Sequence, residues 1–436
     1  MNLLNNLHIR NRNISPISLL IIIYLIFIIF PFSINKLSFL NFFPDNDFIN
    51  FLKIRTINSF FQFLIIITYI VKVNLENKKI FIDQILKLII ITLIYSFLNN
   101  LIIHDFNFKF LLNISYHESY FVKYGLNILT SIILLNELIM NNTLKKSCIN
   151  IIICSCFIIS LLFIITQITN IPIFGVQDEF FERFGIINPL YSRYTFEGHN
   201  PNEISLLLTF SLSFVLTNFL KSKSSNIYKN FIPIIICSTT INSIILTGTR
   251  MGMIVLIFSL LIVFLFLINE KHLNKQKFSM FLILLSYSFT RIYLLVNPLK
   301  RRFIIDDNLL DLGGRLSNWI NDLKFGFDAP LLGKGIVDYF AKNRSSLPEN
   351  IFLELFITSG LIAFILIVAI VIIFLKENTV YFIKYKKIDN ILLIPCLLGA
   401  IISLNIISIK SFWFVLAILS TNILKERKSD RNKYLI

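Results

Sequence analysis

The sequence predicts an all-α, polytopic integral membrane protein of about twelve transmembrane helices (eleven to twelve), with two longer outer loops. Three observations predict it. Of the 436 residues, 56% are hydrophobic and only 15% charged, with a mean hydropathy of +0.75, whereas soluble domains carry about 25% charged residues. Apolar runs approaching the roughly 20 residues needed to cross a hydrocarbon core recur along the chain. Lysine and arginine collect in alternate connections between those runs, as they do in cytoplasmic loops. The composition excludes a soluble enzyme, a disordered chain and a disulfide scaffold.

The runs lie near 15–34, 56–72, 80–101, 119–140, 148–170, 203–220, 231–248, 251–269, 278–297, 351–375, 389–408 and 411–424. The first could pass for a signal-peptide core, but no small-residue cleavage site follows and further spans do, so a retained helix is expected. The second, ninth and twelfth are short or interrupted by polar residues. With the N-terminus cytoplasmic, that side carries Arg10, Arg12, Lys72, Lys78, Lys79, Lys145, Lys146, Lys221, Lys223 and Lys229. It continues with Lys271, Lys275, Lys277, Lys376, Lys384, Lys386, Lys387 and a basic tail from Lys425 to Lys433. The opposite short loops hold only Lys36, Lys53, Arg55, Lys109, Arg250 and Lys410. Both termini are therefore expected to be cytoplasmic. The net charge of +16 is then mostly topological, and no nucleic-acid partner is needed to explain it. Each cytoplasmic connection is short, which leaves little room for an ATPase or kinase module.

Two longer connections, 171–202 and 298–350, fall on the outer side. Gly175, Gly185, Gly198, Gly248, Gly313, Gly314, Gly326, Gly333 and Gly335 lie in or beside outer connections. Glycine permits tight turns and close backbone approach, and long loops are where binding and catalysis concentrate. The working end is expected to face outward. No internal repeat or low-complexity linker divides the chain, which predicts one membrane domain over 1–436. Cys148, Cys154, Cys156, Cys237 and Cys396 lie in or beside apolar runs without zinc-ligand company, and read as small hydrophobes.

The chemistry-bearing residues sit on that outer side. Arg183 and Arg193 alternate with aromatic residues able to stack on sugar rings; the alternative is snorkelling to headgroups or pairing with Glu182 and Glu197. His199 is a possible acid/base or simply a solvated loop histidine. Arg250, in Thr247-Gly248-Thr249-Arg250-Met251-Gly252, is a charge at the membrane boundary and so a functional candidate. In the large loop, Arg301 and Arg302 precede Gly313-Gly314-Arg315, where a guanidinium could hold a phosphate through paired hydrogen bonds. A helix is expected to run from there to about Phe327. Asp306, Asp307 and Asp311 lack the glycine-bracketed spacing of a calcium loop and read as solvated or ion-paired charges, so no metal site is expected. Gly333-Lys334-Gly335 is only a fragment of a phosphate loop. Glu349, beside Asn350 where the large loop meets the next span, fits either a general base or an acid that complements a helix N-terminus.

At these residues the sequence resembles the bacterial O-antigen ligase/polymerase superfamily of polytopic membrane glycosyltransferases, over roughly residues 180–375. The similar pieces are Arg193 through Asn202, the Thr247–Gly252 turn, Gly314-Arg315 with Trp319, and Pro330-Leu331-Leu332-Gly333-Lys334-Gly335. Ligases of the family carry a His followed by Asn, Ser or Gln, nine residues, Gly, two residues, and Gly, Thr or Tyr. Here Asn350 and Gly360 fit, Glu349 stands in place of the His, and Ala363 closes the motif. That departure puts the ligase's histidine base in doubt and favours the polymerase (Wzy-type) branch, or a relative that uses Glu349.

The resemblance implies a GT-C-like architecture in the bacterial inner membrane and cofactor-free, metal-independent, inverting glycosyl transfer on its outer face. The implied donor is a glycan on undecaprenyl pyrophosphate and the acceptor another lipid-linked repeat unit, of an O-antigen or a capsule. Membrane lipids, a chain-length regulator and a flippase are the other implied partners. Glu349, then His199, are the expected bases. Arg193, Arg250 and Arg315, with Arg183, Arg301, Arg302 and Asn350 beside them, are the expected substrate contacts. The rival activities are O-antigen ligation and, from another class, transport by a flippase or other carrier.

Overall fold

In the computed structural model, helix occupies part or all of every predicted apolar run. The structure describes residues 15–29, 57–76, 80–103, 119–169, 176–178, 194–196, 200–222, 227–269, 275–304, 315–341, 348, 350–404 and 409–433. In chain order the helices are α1 (Pro16–Ile29), α2 (Ile57–Glu76), α3 (Gln84–Ile103), α4 (Ser119–Met140) and α5 (Asn142–Thr169). After two short strands come α6 (Pro201–Lys221), α7 (Ile227–Leu246), α8 (Arg250–Asn269) and α9 (Lys275–Ile304). The second long connection contributes α10 (Arg315–Phe327) and α11 (Gly335–Ala341). The chain closes with α12 (Ile351–Tyr385), a 3-10 turn (Ile391–Leu393), α13 (Ile394–Ser403) and α14 (Lys410–Lys433).

Among the described residues, six helices are long and apolar enough to cross a membrane: Ser59–Glu76, Gln84–Ile103, Asn142–Thr169, Pro201–Lys221, Arg250–Asn269 and Ile351–Tyr385. Shorter apolar helices are Pro16–Ile29, Asn230–Leu246 and Ile391–Ser403. On α8 the apolar residues Ile254, Ile257, Phe258, Leu261, Leu265 and Ile268 are exposed. They recur at helical spacing on one side, while Val255, Ser259, Val263 and Leu267 are buried. An apolar stripe of that length facing outward is what hydrocarbon, not water, accommodates.

Helix α6 has a different place. It is buried along nearly its whole length, and it packs against α5, α7, α8 and α13. Its start is well defined: the Asn200 side chain accepts a hydrogen bond from the Asn202 N–H at 2.9 Å, and Pro201 occupies the first turn. Most of the buried apolar side chains, from Ile17 to Leu419, form one continuous cluster. A smaller one, Phe325, Tyr339, Leu353 and Ile357 with Trp319 against it, joins α10 and α11 to α12.

The connection between α5 and α6 contains two elements that helical periodicity does not predict. Strands β1 (Val176–Asp178) and β2 (Tyr194–Phe196) pair antiparallel, with Val176 opposite Phe196. Phe196 is buried and meets Phe163 of α5 at 5.6 Å between ring centres. This contact ties the residues after Arg193 to the helical core. Three-residue strands are too short to leave a period-2 signal in a sequence.

Candidate functional site

The site is organised by a break in α12. Asn350 caps this helix by accepting the Phe352 N–H at 2.9 Å, and the chain then runs helically to Gly360. Gly360 has φ 77° and ψ −171°, a conformation essentially reserved for glycine. A break inside an apolar helix exposes backbone groups that need new partners. The segment after α10 supplies them. The Lys334 N–H donates to the Ile357 carbonyl and the Leu361 N–H to the Pro330 carbonyl, both at 2.8 Å.

The approach leaves no room for side chains. A Cβ on Gly333, itself at φ +76°, would lie 2.7 Å from the Gly360 nitrogen; one on Gly360 would lie 2.1 Å from the Leu331 carbonyl oxygen. Helix α3 braces both segments. Asn100 donates to the Thr358 carbonyl at 3.1 Å and accepts the Ile336 N–H at 2.9 Å. Asn99 donates to the Leu332 carbonyl, and the Ser96 and Ser359 hydroxyls are hydrogen-bonded. Gly333-Lys334-Gly335 therefore serves close packing. Lys334 itself lies 3.8 Å from Asp328 and over the Phe325 ring.

A second assembly surrounds Arg250. Gly248 turns the chain at φ 58°, and the Thr249 hydroxyl accepts the Gly252 N–H at 3.2 Å, capping α8. The same hydroxyl donates to Ser205 Oγ at 2.8 Å. The turn before Arg250 is thus joined to the first turns of α6, behind Asn200-Pro201-Asn202-Glu203. Arg250 opens α8 and is half-buried. Helices α8 and α12 both pack on α13; at its Gly399 a Cβ would come 3.3 Å from Met251 Sδ, next to Arg250.

Of the expected site residues, Arg250 and Asn350 are placed in full. Arg315 is the first residue of α10, as expected, and Arg301 and Arg302 lie in the last turn of α9. Arg183, Arg193, His199 and Glu349 lie outside the described residues, as do Asp306, Asp307 and Asp311.

Glu354 and Arg291 are among the charged residues within spans that the sequence analysis does not single out. Glu354, fully buried, lies one turn beyond Asn350, and its N–H bonds to the Asn350 carbonyl at 2.9 Å. Glu354 lies within electrostatic reach of Tyr124 of α4, whose ring lies 5.6 Å from that of Trp413 in α14. Arg291 of α9 directs Nε and Nη2 at Asn242 Oδ1, with Nε at 2.8 Å. An acid or guanidinium inside an apolar run was the available signal.

Residues 235–368 match the family model described as O-antigen ligase. That match supports a place for the chain in the O-antigen ligase/polymerase superfamily. The matched stretch contains the Arg250 turn, Pro330–Gly335, Asn350 and the break at Gly360. None of the curated proteins compared with the chain matches it. The family match and the apolar helices together support a bacterial membrane protein, and the family implies a glycosyltransferase-like or ligase activity on lipid-linked polysaccharide.

Proposed function

We propose that this protein is a polysaccharide polymerase of the O-antigen ligase/polymerase superfamily. It joins undecaprenyl-pyrophosphate-linked oligosaccharide repeat units of an O-antigen or capsule, on the outer face of the inner membrane. One observation carries the reading. The superfamily match covers a stretch in which the Pro330–Gly335 segment is hydrogen-bonded into the Gly360 break, ten residues after Asn350. The large outer loop is thereby held against the helix whose entrance carries Glu349 and Asn350.

In this reading the chain forms one membrane domain of GT-C-like architecture. It crosses the membrane twelve times with both ends in the cytoplasm, and the helices at all the predicted runs support that topology. An acceptor hydroxyl attacks the anomeric carbon with inversion and without a metal, and the pyrophosphate lipid departs. Glu349 accepts the hydroxyl proton, with His199 the alternative base. Arg193, Arg250 and Arg315 stabilise the charge accumulating on the pyrophosphate, assisted by Arg183, Arg301 and Arg302. Asn350 fixes the start of α12. A flippase and a chain-length regulator work beside it.

The family description also supports ligation, in which the glycan passes to a different acceptor. Glu349 in place of the ligase histidine is the reason for preferring polymerisation. Purified protein incubated with lipid-linked repeat units tests the choice. Chain growth is expected; transfer to a different lipid would make it a ligase, and movement across vesicles without new bonds a transporter. In cells, single Ala variants of Arg193, Arg250, Arg315 and Glu349 at wild-type membrane levels should shorten the surface glycan ladder. Full-length polymer in all four would overturn the site assignment.

A further inference from the structure

At the opposite ends of the helices from Arg250 and Asn350, four lysines from four segments converge. Lys145 lies in the first turn of α5, Lys221 ends α6, Lys387 follows α12 and Lys425 belongs to α14. Lys145 stands within electrostatic reach of Lys425, Lys221 and Lys387, and of Asp389. Asp389 is paired with Lys221, and Glu426 with Lys387 at 2.5 Å. Among the described residues, Lys145 and Lys425 instead meet neutral oxygens. Lys145 donates to Asn422 Oδ1, and Lys425 to the Leu138 carbonyl at 2.8 Å and to Asn142. Four cations and two carboxylates leave the group positive.

This is more than a solvated basic face, because its centre is held in place. The Asn422 amide donates to Asn390 Oδ1 and the Asn390 amide to Asn378 Oδ1, both at 2.7 Å and both buried. The relay fixes the Asn422 oxygen, and with it the Lys145 ammonium, beside three other lysines. Like charges held together at a membrane boundary favour a bound anion. Exposed apolar side chains occupy the neighbouring turns of the same segments: Met140 precedes Lys145 at the start of α5, and Val380 and Ile383 precede Lys387 in the last turns of α12. A ligand with an anionic head beside hydrocarbon matches both features.

We propose that this cluster binds the phosphodiester headgroup of an anionic membrane phospholipid, with its acyl chains against the apolar helix ends. The proposal is independent of the reaction assigned above.

The test uses full-length protein in a nonionic detergent, loaded with equimolar phosphatidylglycerol and phosphatidylcholine and then washed, with retained lipid measured by native mass spectrometry. Wild type should retain phosphatidylglycerol selectively. The double variant Lys145→Gln, Lys221→Gln should weaken that retention at least about tenfold, with phosphatidylcholine unchanged. Arginine at both positions should restore it. Should the glutamine pair not elute like wild type, Lys221→Gln with Lys387→Gln removes two half-exposed charges and should lower retention in the same direction. Equal retention of the two lipids by wild type, or undiminished retention by the folded glutamine variants, overturns the proposal. Displacement of phosphatidylglycerol by millimolar inorganic phosphate also overturns it, since the site would then be one for free phosphate.

Discussion

Gly333 and Gly360 meet backbone to backbone: a Cβ on Gly333 would stand 2.7 Å from the Gly360 nitrogen, and both residues have positive φ. The Pro330–Gly335 segment can enter the α12 break only because neither carries a side chain. Alanine at either position should destabilise the protein by at least about 1–2 kcal/mol from the left-handed backbone alone. The clash with fixed backbone atoms adds to this, so Gly360→Ala should be the more damaging. Thermal unfolding in detergent, with Gly125→Ala as the control in open space, checks the order.

Asn100 serves both sides of the same junction. Asn100→Leu removes the donor to Thr358 and the acceptor for Ile336, at about 1–3 kcal/mol for each buried group left unsatisfied. Protease sensitivity of the 315–341 segment should rise while the other outer connections keep wild-type cleavage.

Arg250 tests the electrostatic role. Arg250→Ala should reduce transfer about 10²-fold if the guanidinium stabilises the leaving pyrophosphate. Arg250→Lys should recover part of the rate, because charge returns without the paired donors. Kinetics with purified lipid-linked substrate measure both; unchanged turnover in the alanine variant removes Arg250 from the site.

Glu349 and Glu354 can be told apart by pH profile. Glu349→Gln should lower the rate by about 10²–10⁴-fold and abolish the acidic limb of the profile. Glu354→Gln, a turn deeper and beside Tyr124, should act by positioning, with a smaller loss and the same limb retained. The reverse result transfers the base to Glu354.

Asp83 supplies a pH-dependent stability test away from the site. It precedes α3 and lies outside that span. Burial first, and Glu377 second, hold its carboxyl above the ordinary range, against the Gln84 N–H, the Ser420 hydroxyl and Arg427. A carboxyl raised on folding favours the folded state below its unfolded pKa and loses that advantage as pH rises through the folded value. Asp83→Asn should therefore raise thermal stability at neutral pH and change it little near pH 3, assayed by unfolding across that range.

The membrane class and the helices of the fold were legible because apolar length and lysine placement are local properties. The candidate site was legible in pieces. Arg250 stood out as a charge at a span boundary, and Asn350 and Gly360 by their fit to the motif of the ligases that the sequence resembles. Gly333-Lys334-Gly335 was visible as a motif but not as a packing surface, since its partner at Gly360 lies across a helix break. Glu354 and Arg291 were overlooked inside apolar runs, where one charge barely alters the pattern.

By itself, then, the sequence determined that this chain is helical and apolar enough for a membrane, because burial in hydrocarbon imposes length and composition on each segment separately. Short motifs carried the resemblance to O-antigen ligases and polymerases. Only the tertiary structure decided that Asn100 braces the Pro330–Gly335 segment in the α12 break, that Thr249 joins the Arg250 turn to α6, and that four distant lysines share one surface. Those relations depend on hydrogen bonds and close approach between segments far apart in the chain, and no local pattern encodes them.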